Sequence, residues 1–279
     1  MSVWFITGSS RGLGKEIASA ALAAGHRVVA TARDRAAVVA ALGEDERLLA
    51  VALDVTDAAQ VAEAVKEATD AFGGIDVLVN NSGYGLLGAI EEISDADARE
   101  VFDVNVFGLL AVTRAVLPVL RAQGSGRILN IGSIGGFVAI PSSGVYGASK
   151  FAVEGITEAL AAELAESGVT ATVVEPGAFR TDFLTPGSLR IIEPSIEVYG
   201  SSAHTVINRL TAMDGQQPGD PARAALAILD VAGSAHPPLR IQLGPDAVAR
   251  VEAKLELVTR ELAEWRTLSE STDFAEATG

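Results

Sequence analysis

The sequence predicts an α/β chain: one doubly wound domain on a central, mostly parallel seven-stranded sheet, closed by a C-terminal helix. Three observations carry this. Seven short runs lie at residues 3–7, 27–32, 48–53, 77–80, 127–131, 170–174 and 239–243, most of them rich in Val, Ile or Leu without strict polar alternation, as expected of strands covered on both faces. Helical patterns separate them at the spacing of parallel βαβ units. No linker, internal repeat or low-complexity segment interrupts the chain, so residues 1–279 count as a single domain.

The elements follow in order. The first strand enters a glycine-rich turn and then a helix over residues 14–24, which Gly25 closes. Thr56 and Asp57 open a helix over 57–72, a longer one covers 95–121, and a further one covers 149–167 before Gly168. Residues 184–217 carry Pro, Gly and Ser without a clean period, which predicts a partly helical flap between the sixth and seventh strands. Residues 245–268 form a long amphipathic helix with Val248, Val251, Leu255, Val258 and Leu262 along one stripe. That stripe must pack on its own domain or on a partner subunit.

Composition narrows the function. With 49% apolar residues the chain can bury a large core. It has no cysteine, which excludes disulfides and thiol chemistry and fits a reducing compartment. Its three histidines (His26, His204, His236) lie far apart, so no metal site is expected. The net charge is −15 with no basic run, which argues against nucleic acid and anionic membranes as partners. No apolar stretch reaches membrane-spanning length and no signal segment opens the chain, so a cytoplasmic location is expected.

Thr7-Gly8-Ser9-Ser10-Arg11-Gly12-Leu13-Gly14 lies between a strand and a helix. Glycines there allow a tight turn, and the free N–H groups of a helix start suit a diphosphate. The second strand ends Ala30-Thr31-Ala32-Arg33. An NAD-selective site commonly carries a carboxylate here to hold the ribose 2′-OH. Small Ala32 leaves room instead, and Arg33, with Arg11 from the other side, can meet a 2′-phosphate. NADP(H) is therefore favoured over NAD(H), with Asp34 as a complication.

Tyr146 and Lys150 stand four residues apart, one helical turn on the same face. A phenol is a poor base near pH 7, with a pKa of roughly 10. A neighbouring cation favours its phenolate. Ser133 ends the preceding strand in Asn130-Ile131-Gly132-Ser133, and Asn80-Asn81-Ser82-Gly83 follows the fourth strand. Asn105 lies in the long helix and Pro176-Gly177 ends the sixth strand. With these five motifs in order, the chain resembles the short-chain dehydrogenase/reductase family from Val3 to about Gly244. The wording around Tyr84-Gly85, Val174-Glu175-Pro176-Gly177 and Arg180-Thr181-Asp182-Phe183 is similar to bacterial relatives of 17β-hydroxysteroid and retinol dehydrogenases.

The resemblance implies a Rossmann-type domain and an oxidoreductase that interconverts a carbonyl compound and an alcohol. It implies Tyr146 as acid/base, Lys150 on the nicotinamide ribose, Ser133 on the substrate oxygen, and Asn105 opening its helix to hold a water. Gly8, Ser10, Gly12, Leu13 and Gly14 would line the diphosphate, and Asp54 and Val55 the adenine. Asn80, Ser82 (where the family usually has Ala) and Gly83 would pass beneath the ribose. Pro176, Gly177, Phe179 and Thr181 would hold the nicotinamide.

Substrate-pocket candidates are Leu86, Phe137, Val138, Ile140, Phe183 and Leu184, which predict a small, moderately hydrophobic carbonyl or alcohol substrate. His204 and Arg209 are candidates to read a polar group on it. The resemblance also implies that the helices at 95–121 and 149–167 pair across a two-fold axis in a homodimer or homotetramer. Two other functions are possible on this scaffold: an NADP-binding redox sensor, and an epimerase or dehydratase. Retention of Ser133, Tyr146 and Lys150 together argues against the sensor, and the NADP-type Arg33 against the epimerase.

Overall fold

The computed structural model describes residues 1–274. Strands and helices alternate through most of the chain: β1 (Val3–Ile6), α1 (Gly12–Ala23), β2 (Arg27–Ala32), α2 (Arg35–Leu42), β3 (Leu48–Ala52), α3 (Ala58–Phe72), β4 (Val77–Asn80) and β5 (Gly85–Leu87). Next come α4 (Asp95–Phe102), α5 (Leu109–Gln123), β6 (Gly126–Ile131), α6 (Gly144–Glu163), β7 (Val169–Pro176) and β8 (Leu189–Ile191). The chain continues through α7 (Thr205–Thr211), α8 (Pro221–Gly233), β9 (Arg240–Leu243) and α9 (Pro245–Glu270).

Seven strands form one sheet in the order β3-β2-β1-β4-β6-β7-β9, and every neighbouring pair is parallel. Alternation along each strand splits the core into two layers. Val3 and Phe5 of β1 face α3, α5 and α6, whereas Trp4 and Ile6 face α1, α2 and α8. The chain runs outward through β2 and β3, then returns to place β4 on the other side of β1. A crevice opens outside the carboxyl ends of β1 and β4, where strand order reverses.

Several elements escaped the sequence reading. The three-residue strands β5 and β8 pair in parallel as a separate small sheet that ties the flap to the segment after β4. Such short strands carry no readable period. Helices α2 and α8 are started by Asp34 and Asp220, whose carboxylates accept N–H bonds from Ala36 and from Ala222 and Arg223. Helix α6 begins at Gly144 rather than 149; Gly144 and Gly147 had masked its first turn. The helix expected over 95–121 is α4 and α5 joined by a π-helical turn, Asp103–Gly108. Contrary to the expectation that no stretch reaches membrane-spanning length, together they form, among the described residues, one segment long and apolar enough to cross a membrane. Its buried face, including Val112, Val116 and Leu120, packs into the sheet's core.

Candidate active site

The crevice is a continuous cleft of about 1470 Å³ that reaches from the loop after β1 to the flap. Gly8 and Gly12 adopt left-handed φ values of 70° and 55°, a conformation that glycine alone takes without strain. Gly14 has another role: a Cβ there would lie 2.3 Å from Gly8 O, so the glycine lets α1 pack on the loop. Gly8, Ser10, Arg11, Gly12 and Leu13 line the cleft, and Gly14 does not. Arg11, at the start of α1, offers no side-chain cap to the helix. The first N–H groups of α1 are thus open to an anion. The Arg11 guanidinium instead donates to Gly187 O of the flap.

At the adenine end, Ala32, Arg33, Asp54 and Val55 line the cleft. Arg33 is exposed and, among the described residues, has no ion-pair partner. Asp34 lines the cleft as well and caps α2, its Oδ1 accepting from Ala36 N at 2.9 Å. Asp54 accepts from Thr56 N and Thr56 Oγ1, fixing the turn into α3.

The segment after β4 corrects one expectation. Asn80 does not line the cleft; it is 3% exposed and donates to Thr113 Oγ1 at 2.9 Å and Asn130 Oδ1 at 2.8 Å, binding β4 to α5 and β6. Its side chain points into the sheet because β4 still runs at that position. Asn81 is the cleft residue, and its amide donates to Thr7 O and Gly8 O, holding the glycine turn in place. Ser82 and Gly83 also line the cleft.

At the other end Ser133, Tyr146 and Lys150 converge. Ser133 leaves β6 and starts a 3₁₀ turn, where its hydroxyl accepts from Gly135 N at 3.0 Å. Tyr146 sits in the first turn of α6, its ring 5.8 Å from that of Phe183. Burial pushes the Tyr146 phenol up to about 12, opposed only by the Ser133 hydroxyl beside it. Lys150, one turn on, donates to Ile131 O at 2.8 Å. Burial lowers its ammonium to about 8, against the pull of Glu154.

Asn105 occupies the middle of the π turn and is 1% exposed, so it does not face solvent. Its amide donates to Tyr84 O and Ser149 Oγ, and its oxygen accepts from Tyr84 N at 3.0 Å. These bonds tie the opened helix to α6 and to the segment after β4. The side chain lies beneath the cleft, next to Gly83 and Lys150. Pro176, Gly177, Phe179 and Thr181 form the wall after β7, with Ala178 N donating to Asp246 of α9 at 2.9 Å.

Tyr84, Leu87, Ile140, Phe183 and Leu184 line the substrate end, whereas Leu86 is fully buried and Phe137 and Val138 lie off the cleft. Alternation along β5 turns Leu86 inward. Neither His204 nor Arg209 lines the cleft; Gln217 and Arg250 do, and Arg250 comes from the tail helix, too far along the chain for spacing to reveal it.

His204 instead meets Glu92, whose carboxylate also accepts from Ser195 N at 2.7 Å and Ile196 N at 2.8 Å. These bonds, with that from Ser195 N foremost, hold Glu92 down at about 2. Glu92 is thus the latch of the flap. Its grip is complete above the ordinary carboxylate pKa and is lost as pH falls from there toward 2. Glu92→Gln is expected to raise hydrogen–deuterium exchange across residues 195–204 by about tenfold, with α6 unchanged. Equal exchange in both regions would show that Glu92 does not hold the flap.

A family model described as short chain dehydrogenase matches residues 2–188. The chain is 40% identical to "Oxidoreductase BOA17" of Botryotinia fuckeliana, over 96% of this chain and 97% of that one. Its structure is similar to that of a short-chain dehydrogenase from Streptomyces avermitilis, with a TM-score of 0.89 and 39% identity, covering 98% of this chain and 100% of the other. A short-chain dehydrogenase/reductase from Burkholderia phymatum, solved in complex with NAD, has a TM-score of 0.81 and 26% identity, covering 93% and 95%. With the sheet order, the glycine turn and the Ser133–Tyr146–Lys150 constellation, these likenesses establish that the chain is an oxidoreductase of the short-chain dehydrogenase/reductase family.

Proposed function

We propose that this oxidoreductase interconverts a ketone or aldehyde and the corresponding alcohol, with NADP(H) preferred over NAD(H). The observation that carries the reading is the meeting of Ser133, Tyr146 and Lys150 in one cleft that is continuous with an uncapped helix start and an unpaired Arg33. The donors present fit a dinucleotide. Gly8, Ser10, Gly12 and Leu13 would hold the diphosphate, Arg33 the 2′-phosphate, and Pro176, Gly177, Phe179 and Thr181 the nicotinamide. When bound, the cofactor supplies or accepts the hydride.

The chain's own residues handle the proton. A phenol held near 12 is fully protonated at neutral pH, which suits Tyr146 to donate to a carbonyl oxygen. The Ser133 hydroxyl stands beside it to stabilise charge that develops on that oxygen. With Lys150 mostly charged below about 8, its ammonium can favour the phenolate that remains after transfer. Apolar Leu87, Ile140, Phe183 and Leu184 keep water away and suit an uncharged, moderately hydrophobic substrate. The absence of cysteine suits a reducing, cytoplasmic setting.

The test is oxidation of NADPH and of NADH against neutral ketones, aldehydes, quinones and oxo-steroids. Turnover with NADPH exceeding that with NADH is the expected result. Tight NADPH binding without turnover of any compound would replace this reading with the redox sensor.

A further inference from the structure

Helix α9 leaves the body of the domain after its first turns. Ala247 is buried and Arg250 Nη2 donates to Val138 O, but from Glu252 to the helix end only Lys254 and Leu257 are even partly covered. Along this projecting rod Val248, Leu255, Val258, Leu262 and Trp265 are 43, 52, 46, 55 and 56% exposed. With half-covered Val251 they are spaced by three, four, three, four and three residues. That is the seam of a two-stranded coiled coil, not the broader stripe of a helix lying on a sheet. A row of large apolar side chains this long is seldom left in water.

We propose that α9 pairs antiparallel with α9 of a second copy of this chain. One antiparallel register brings all six seam residues together: Val248 meets Trp265 of the second copy, Val251 meets Leu262, and Leu255 meets Val258. Each large side chain faces a smaller one across the axis. The same register sets Lys254 beside Glu261 of the second copy, and the two-fold repeats that ion pair. A parallel pairing stacks Trp265 on its own copy, sets Lys254 beside Thr259 and keeps only a Glu261–Arg266 pair. The rest of α9 argues against an anionic bilayer as the occupant, because the helix carries six acidic side chains against four basic ones. The contact is independent of the reaction, since Leu255, Val258, Leu262 and Trp265 all lie outside the cleft.

The first measurement is the mass of the full chain by light scattering after gel filtration, compared with Leu255→Glu/Leu262→Glu. The variant is expected to have half the mass of the wild type, with an unchanged melting temperature and unchanged NADPH binding. A monomeric wild type, or a variant of undiminished mass, would overturn the proposal. The charge pair gives a second reading: Lys254→Glu weakens the assembly, and Lys254→Glu/Glu261→Lys restores it. Orientation is read by a nitroxide on Glu270→Cys, which labels uniquely because the chain has no cysteine. At a rise of 1.5 Å per residue, the antiparallel register puts the two labels about 40 Å apart. A separation of about 10–15 Å, as expected for helices side by side in parallel, would overturn it.

Discussion

Tyr146→Phe is expected to lower kcat for carbonyl reduction by about 100- to 10,000-fold, the range that a positioned acid contributes. Only a hydroxyl is lost. The phenyl ring keeps its packing against Phe183, and the first turn of α6 is unaltered. NADPH affinity by fluorescence titration and the melting temperature should therefore stay close to wild type. This split between turnover and binding distinguishes a proton donor from a structural residue. A fall of less than tenfold would mean that the proton comes from elsewhere, for example through water.

Lys150 adds a pH dependence to the same experiment. Its folded pKa of about 8 lies below the ordinary lysine value, so the cation is present below about 8 and is lost as pH rises through it. Reductive kcat/KM is expected to decline above pH 8. In Lys150→Met, activity should be low throughout, with that limb of the profile gone. A wild-type profile flat to pH 9.5 would show that the Lys150 charge does not support the reaction.

What the sequence revealed and what it concealed divide along physical lines. All seven strands of the main sheet were legible, since most buried parallel strands are rich in Val, Ile or Leu without strict polar alternation. Spacing revealed the Tyr146–Lys150 pair, one helical turn apart, and the short-chain dehydrogenase resemblance added Ser133, which lines the same cleft. Asn80 was assigned to the ribose when it is part of a buried network with Thr113 and Asn130, and Asn81 lines the cleft. A one-residue error of this kind follows from the two-residue period of a strand, which sends adjacent side chains to opposite sides. His204 looked available for substrate only because its partner, Glu92, is 112 residues distant. Arg250 and Gln217 reach the cleft by tertiary packing, which no local pattern encodes.

Cofactor choice is the second large effect, and it turns on the end of β2. Arg33→Ser is expected to raise the KM for NADPH by about 10- to 100-fold and to leave that for NADH nearly unchanged. The magnitude follows from losing a charge-assisted contact to a phosphate, worth about 1.5–3 kcal/mol where solvent does not screen it. Arg33 is exposed, so screening by salt places the effect toward the lower end and makes it shrink as ionic strength rises. Ala32→Asp tests the same site from the other side. A carboxylate there repels a 2′-phosphate and accepts bonds from a 2′-hydroxyl, so it should lower NADPH use and raise NADH use together. The deciding quantity is the ratio of kcat/KM for NADPH to that for NADH. Asp34 also lines the cleft; its Oδ1 accepts from Ala36 N, and its second oxygen is the competing acceptor for a 2′-hydroxyl that these variants weigh against Arg33. A wild-type ratio near one, unmoved by Arg33→Ser, would show that Asp34 or water takes the ribose hydroxyls and that Arg33 is simply a solvated residue at a strand end.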